Sequence, residues 1–426
     1  MWAEVLGPLS PRVNSPGATR RDCVDPKPVS ERASIGRVLI ARNFWPYFAG
    51  NLLSNSGTWF QSIAQVLLIY RLTGSPFLVG VVNFSQFAAV LFLAPWAGVA
   101  ADRFDRRRLI VTAQLGAAAL ATLLAVLTFA GLASAWIVVV LALGLGVATA
   151  VTTPALQAMV PSLVQSPQLP AAMALNAVTF NLSRALGPVL AVAVIARFGI
   201  PTAFAVNAFS YLALVVGLST VSPRTERIFP DETPRLRDSL RMVREQRSLL
   251  APLLVVGIVS LSADPVNTLT PSFSTELFGR PDTFTGVLVG SFGAGAVLAA
   301  FTLVGRRPPS YPLMVLTLGL LAGGMTVFAL SSGEAIAVAG LALAGFGYLA
   351  SVTVATSLLH LALEESHRGR IMSLWSISFH GSRPIGSLVD GGIASLIGLR
   401  AAALTMVLPA LAGCMALALV LLRRRR

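Results

Sequence analysis

The chain is poor in charge: Asp, Glu, Lys and Arg make up only 12% of its 426 residues. A soluble globular domain carries about twice that share. Cysteine is nearly absent. Cys23 lies in a polar N-terminal stretch and Cys414 in the last apolar run, so neither a disulfide nor a cysteine metal site is expected. The histidines, His360, His367 and His380, form no ligand cluster, and the dispersed serines form no catalytic triad pattern. A nucleotide-binding module is missing too. Gly290 to Gly295 is rich in glycine, but it lies inside an apolar run, with no preceding strand and no Gly-Lys-Ser or Gly-Lys-Thr. Close helix packing is its reading. These absences leave no cofactor, no metal and no enzyme activity to expect, and no direct use of ATP.

Long apolar runs are what the chain does have. Apolar residues make up 55% of it, and the mean hydropathy is +0.76. Twelve runs are long enough to cross about 30 Å of hydrocarbon as helices. They cover roughly 44–70, 76–101, 109–131, 134–163, 169–196, 202–221, 249–275, 284–304, 311–331, 334–363, 371–397 and 400–422. The expected fold is an all-α integral membrane protein with twelve transmembrane helices.

The polar segments set the boundaries. Residues 1–43 form a tail with five prolines and no apolar central region, so it reads as largely disordered and not as a signal peptide. Residues 44–221 hold six spans, and 249–422 hold six more. The linker 222–248 between them has helical spacing in its second part, as in an amphipathic surface helix. A basic end, 423–426, closes the chain.

The formal charge of +14 does not point to nucleic acid, because nearly all of it sits in the turns between spans. With both termini in the cytoplasm, 26 of the 32 Lys and Arg fall on the cytoplasmic side. The outer loops hold only Arg71, Arg197, Arg280 and Arg400. This is the positive-inside distribution.

The two halves also repeat. An offset of 199 residues brings Phe180 onto Phe379, Ser183 onto Ser382, Arg184 onto Arg383, Gly187 onto Gly386 and Gly199 onto Gly398. Parallel repeats related by an axis along the membrane normal are a transporter plan, with the binding site between the halves.

The turn from Gly98 to Arg108 is the densest basic knot. Gly98, Asp102, Arg103, Arg106 and Arg107 match Gly-x-x-x-Asp-Arg-x-Gly-Arg-Arg, the signature after the second helix of major facilitator superfamily transporters, with Asp105 in the place of a glycine. The chain resembles that superfamily. Longer pieces resemble the enterobactin-exporter and macrolide-efflux type of bacterial permease: Gly57 to Ala64, Leu72 to Pro76, Ala174 to Pro188 and Arg368 to Leu374. The resemblance runs from about residue 43 to 400. It implies two pseudo-symmetric six-helix halves and a gating role for the arginine turn, whose Asp caps a helix of the other half. Setting topology alone is the other reading of these arginines.

Charged residues inside spans are the informative ones, since each costs about 2.5–3.5 kcal/mol at a helix centre. They are Arg184, Asp264, Arg383 and Asp390. The arginines either tie helices together or line a central cavity, holding anionic groups or a carboxylate. Asp264 precedes Pro265, where the helix is weakened, and is a candidate for proton coupling. Its other reading is a carboxylate that satisfies backbone donors freed near the kink. Asp390 is a second coupling candidate. In the first half the equivalent of Asp264 is near Thr58, where related exporters often carry an acid. Asn51, Asn55, Gln61, Gln65, Asn176 and Asn181 line the cavity or bond helix to helix. Asn83 and Gln86 on the second span belong with them. Trp59, Phe60, Phe84, Phe87 and Trp375 are candidates for an apolar pocket wall.

The expectation is a monomeric, proton-coupled efflux permease of the bacterial inner membrane. Its partners are a small-molecule substrate, protons and the lipid bilayer. An importer or facilitator, and a membrane sensor or scaffold, are the competing classes.

Overall fold

A computed structural model describes residues 35–222, 236–303, 307–363 and 368–425. Most of the N-terminal tail and the first part of the linker lie outside the described residues. Those described are helical throughout, without a strand. After a short α1 (Ile35–Leu39) come α2 (Trp45–Thr73), α3 (Pro76–Arg103), α4 (Arg106–Phe129), α5 (Ala135–Leu163), α6 (Leu169–Phe198) and α7 (Ile200–Ser219). The linker contributes α8 (Leu236–Glu245). Then follow α9 (Leu250–Ser262), short α10 (Pro265–Thr268) and α11 (Thr270–Ser272), α12 (Thr285–Thr302), α13 (Tyr311–Leu330), α14 (Glu334–Ala362), α15 (Arg368–Ile397) and α16 (Leu399–Arg425).

The helices begin and stop on local signals. Ser75 caps α3, its hydroxyl accepting from the Leu78 amide, and Pro76 follows at the first helical position, where a missing N–H costs nothing. Gly199 and Gly398, partners in the repeat, both adopt a left-handed φ, of +84° and +102°. Each turns the chain sharply between two helices, α6 into α7 and α15 into α16. The repeat is therefore written in backbone geometry as well as in sequence.

Ten helical stretches among the described residues are long and apolar enough to cross a membrane. α2 and α15 are not among them, although they have 29 and 30 residues. They carry more polar side chains, and those side chains build the centre of the molecule.

Contacts sort the helices into two groups. In the first, α2 packs on α6 and α7, α3 on α5, and α4 on α5 and α7. In the second, α9 packs on α14, α15 and α16, α12 on α14, and α13 on α14 and α16. The groups meet where α3 lies along α15 and α6 along α12. Glycine makes the first seam tight. A Cβ on Gly80 of α3 would stand 2.1 Å from the Ser387 carbonyl oxygen of α15. Within the second group a Cβ on Gly295 would meet the Ala342 carbonyl oxygen at 1.8 Å. That confirms the glycine run near residue 290 as a helix-packing surface.

Candidate transport site

Arg184 on α6 and Arg383 on α15 converge where the two groups meet. Arg184 stands over the Trp59 ring at 5.3 Å and Arg383 over the same ring at 5.4 Å. Both also face Phe379, at 5.8 and 5.5 Å. Arg184 has Tyr348 as a third ring, at 4.3 Å, and donates a hydrogen bond to its hydroxyl. Arg383 has Phe87 as its third ring, at 5.0 Å. Arg383 is only 4% exposed, and its Nε has no hydrogen-bond partner among the described residues. The partner of Arg184 is thus a phenol, reached across the groups, and not a carboxylate. Cation–π contact with stacked rings supplies much of what holds both charges in a dry place.

Asp264 sits where α9 has ended and before Pro265, so the break aims its side chain across to α15. Its carboxylate accepts from the Ser387 hydroxyl at 2.6 Å. One turn further along, Thr268 donates to Asp390 at 2.5 Å. Each strand of chain thus offers one acid and one hydroxyl to the other. Asp264 is 3% exposed and Asp390 fully buried. One oxygen of Asp390 has no partner among the described residues. The Thr268 hydroxyl also lies 3.2 Å from the Asp264 carbonyl, which already accepts from the Asn267 amide at 2.8 Å. Gly386 permits the approach, since a Cβ there would lie 3.3 Å from the Asp264 side chain. Its repeat partner Gly187 does the same for α6 against Trp59 of α2, at 2.8 Å.

Between these parts lies a cavity of about 10 Å³, room for about one water. Trp59, Asn83, Phe87, Asp264, Asn267 and Arg383 are among its lining residues, from both groups.

The polar residues of α2 divide. Asn51 donates to Asn176 of α6 at 3.0 Å and accepts from Asn55 at 2.8 Å. Gln61 accepts from Asn207 of α7. These side chains join helices of the first group and do not line the central cavity. Gln65 is 1% exposed, with neither amide atom partnered among the described residues. The side chain of Asn181 lies outside the described residues. Among the aromatic candidates, Trp59 and Phe87 line the cavity, Phe60 is in the core, and Trp375 stacks on Phe379 at 4.9 Å. Thr58 bonds the Ser54 carbonyl, and holds no acid's place.

The arginine turn is a staple. Asp105 caps α4 by accepting from the Arg108 amide at 2.7 Å. It does so with an ordinary negative φ of −63°, so no glycine is needed there. Arg106 donates to the Ala158 carbonyl of α5 at 2.9 Å, and Arg107 to the Ser219 carbonyl ending α7 at 3.0 Å. Cations thus meet the negative ends of two helices. These partners all belong to the first group. The Asp102 side chain lies outside the described residues, as does any cap it makes on the other half. Gly98 has open space around it. Arg103 is exposed.

The opposite end of the bundle is pinned across the groups. Arg71 grips Asp282 with two hydrogen bonds, of 2.5 and 2.9 Å. Tyr70 meets Thr275 at 2.6 Å and Glu276 at 3.0 Å. Nearby, Arg280 pairs with Glu334 at 2.7 Å, and that carboxylate holds its guanidinium above the usual range. Arg400 donates to the Ser331 carbonyl at 3.0 Å.

Sequence reasoning found the four charged residues but not Ser387, Thr268, Tyr348 or the role of Phe379. Ser387 and Thr268 had a signal: each stands four residues after a charged residue, Arg383 or Asp264, on one helical face. Tyr348 had none.

The comparisons with known proteins agree with this architecture. The model of the family described as transmembrane secretion effector matches residues 38–425. Macrolide efflux protein A of Streptococcus pyogenes is 23% identical over 366 residues, covering 84% of this chain and 90% of that protein. The enterobactin exporter EntS of Salmonella typhi is 25% identical over 368 residues, covering 83% and 86%. A staphyloferrin A transporter of Staphylococcus aureus is 24% identical over 264 residues, covering 60% and 66%. Among solved structures, a bacterial homolog of the human lysosomal transporter Spinster superposes with a TM-score of 0.71 at 12% identity, covering 88% and 96%. The peptide transporter POT superposes with a TM-score of 0.68 at 16% identity, covering 90% and 94%. The chain belongs to the transmembrane secretion effector family of the major facilitator superfamily, and is a multi-pass membrane transporter.

Proposed function

We propose that this protein exports small molecules across the bacterial cytoplasmic membrane in exchange for protons, and that it has no enzyme activity. The observation that carries the coupling is the reciprocal pairing of Asp264 with Ser387 and of Thr268 with Asp390. It places two acids on the contact between α15 and the broken α9–α10 segment, beside the cavity between the groups. Protonation of either acid replaces a charge-assisted hydrogen bond by a weaker neutral one. That loosens α15 against the break, which biases one arrangement of the groups over the other. One proton moving through about 100 mV supplies roughly 2.3 kcal/mol, enough for about a fiftyfold gradient of a neutral substrate.

The orientation follows from charge. The end that carries the arginine turn, the linker and both termini faces the cytoplasm. The end with Arg71, Arg197, Arg280 and Arg400 faces outward. Three of those four are tied to Asp282, Glu334 or the Ser331 carbonyl. On this reading the Arg71–Asp282 and Tyr70–Glu276 contacts close the outer side. Twelve helices cross the membrane, α2 and α15 among them; the polar side chains of α2 bond it to α6 and α7, and those of α15 meet the broken α9–α10 segment. A single chain holds the whole site, so a monomer suffices.

The deciding experiment is accumulation of drugs and siderophores in an efflux-deficient host that expresses the protein, with and without a protonophore. Lower accumulation that the protonophore abolishes supports proton-driven export. Higher accumulation on expression turns the reading to uptake.

A further inference from the structure

Two like charges meet at the centre of this transporter, and among the described residues no carboxylate stands within ion-pair distance of either. Arg184 and Arg383 face the same Trp59 and Phe379 rings, and among the described residues neither makes an ion pair. Asp264 shares the cavity wall with Arg383 and feels its charge, but its hydrogen bond is from Ser387, as that of Asp390 is from Thr268. Burying a cation without an anion is costly, and the rings offset only part of that cost.

The geometry also says which edge is free. Trp59, Phe87 and Phe379 stand around Arg383 at 5.0 to 5.5 Å. Its Nε is unpartnered among the described residues although the residue is 96% buried, and the side chain lines a cavity shared with Trp59, Phe87, Asn83, Asn267 and Asp264. An unoccupied Nε beside an Nη is half of the fork that grips a planar oxyanion with two parallel hydrogen bonds. Arg184 is set differently. It donates to Tyr348, which fixes it as a neighbouring charge.

We propose that Arg383 binds the carboxylate of an organic-acid substrate, with Arg184 strengthening the local field and the apolar body of the acid lying along Trp59 and Phe87. The inference rests on the transport reading above, because the cavity lies between the two groups. In the arrangement described here the cavity has room for about one water, so the acid enters as the groups part. Protons and the acid use separate residues. The hydroxyl-held carboxylates set the helix contact, and the arginines hold the cargo.

The test uses the full-length protein in nanodiscs with matched aryl probes: 1-naphthoate, its neutral amide and 1-naphthylmethylamine. Binding is read by tryptophan fluorescence and calorimetry, without any gradient. The acid is expected to bind at least about tenfold more tightly than the amide, and the amine not at all. Arg383→Gln is expected to erase the preference for the acid, bringing its affinity down to that of the amide. Arg383→Lys, which keeps the charge but loses the fork, is expected to retain a weakened preference and guards against a misfolded glutamine variant. Arg184→Gln should weaken acid binding about threefold to fivefold through the lost field. Equal affinity for acid and amide, tighter binding of the amine, failure of the acid to bind, or an unchanged preference in Arg383→Gln overturns the proposal. Uptake of the acid into inverted proteoliposomes is scored separately. Acid binding through Arg383 with no uptake under a proton gradient upholds the site and rejects coupled export.

Discussion

Ser387 gives its hydroxyl proton to Asp264 across 2.6 Å, linking α15 to the one point where the α9–α10 segment is broken. The acid is buried, and Pro265 beside it donates no backbone bond. The Thr268–Asp390 pair repeats the arrangement one turn away.

Removing the charge and removing its donor should therefore have different effects. Asp264→Asn is expected to abolish proton-driven export by at least about tenfold while substrate exchange at zero gradient continues. Ser387→Ala keeps the acid but removes its hydrogen-bond donor on α15. Its expected outcome is retained coupling at a reduced rate, read as proton-driven export beside Asp264→Asn. Asp390→Asn separates the roles of the two acids. Loss of coupling in that variant as well makes the pair a unit. Wild-type coupling in Asp264→Asn would remove this acid from the mechanism.

Much of the fold was legible because lipid leaves few choices. A backbone in hydrocarbon must bond internally, so apolar runs become helices, and turn residues such as Ser75, Gly199 and Gly398 mark their ends. The charged residues of the site were legible for the same reason: Arg184, Asp264, Arg383 and Asp390 are expensive where they stand. Their partners were not. Serine and threonine are inexpensive in helices and common in the chain, so the i+4 spacing of Ser387 and Thr268 only hints at a role, and packing alone reveals that α15 brings Ser387 to Asp264 and that Tyr348 reaches Arg184. Periodicity left Gln61 and Asn51 with two readings, cavity lining or helix-to-helix bonding, and packing chooses the second. Their face of α2 turns towards α6 and α7 and not to the central cavity.

The Arg71–Asp282 pair should act as a latch between the groups. A partly exposed ion pair is worth about 0.2–1 kcal/mol, with two hydrogen bonds placing this one towards the upper end. Arg71→Ala is then expected to change the ratio of closed to open outer ends by about fivefold or less. Spin labels at Thr73 and Phe284 read this as a longer-distance population. The exchanged pair, Arg71→Asp with Asp282→Arg, should restore the short distance. An unchanged distance distribution in Arg71→Ala would show that the seam is held by packing alone.

Gly80 and Gly345 offer a contrast between function and stability. A Cβ at Gly80 would collide with the Ser387 carbonyl oxygen across the seam between groups, at 2.1 Å. A Cβ at Gly345 would collide with the Phe292 carbonyl oxygen inside the second group, at 1.8 Å. Gly80→Val is expected to fold with near-normal thermal stability but to favour the state in which α3 and α15 have parted. Gly345→Val is expected to lose several degrees of melting temperature or fail to accumulate, because no state of the transporter relieves that clash. Melting curves in detergent, together with label accessibility on α3, separate the two.

Arg106 tests whether the basic turn is a staple. Its guanidinium reaches the Ala101 and Ala158 carbonyls, at 3.3 and 2.9 Å, and so fastens the end of α3 to α5. Hydrogen bonds from a charged donor contribute about 1.5–3 kcal/mol each at best, less where solvent competes. Arg106→Ala should therefore lower stability by about 1–2 kcal/mol, without reversing the topology, since Arg103, Arg107 and Arg108 remain in the turn. Arg107→Ala should do less, because its contact to Ser219 is exposed. The measurements are chemical melts of the purified variants and proteolytic mapping of the termini in inverted vesicles. A stability equal to the wild type, combined with lost export in Arg106→Ala, would instead assign the turn to the gate between the halves. The described geometry favours the staple, for every described partner of Arg106 and Arg107 belongs to the first group.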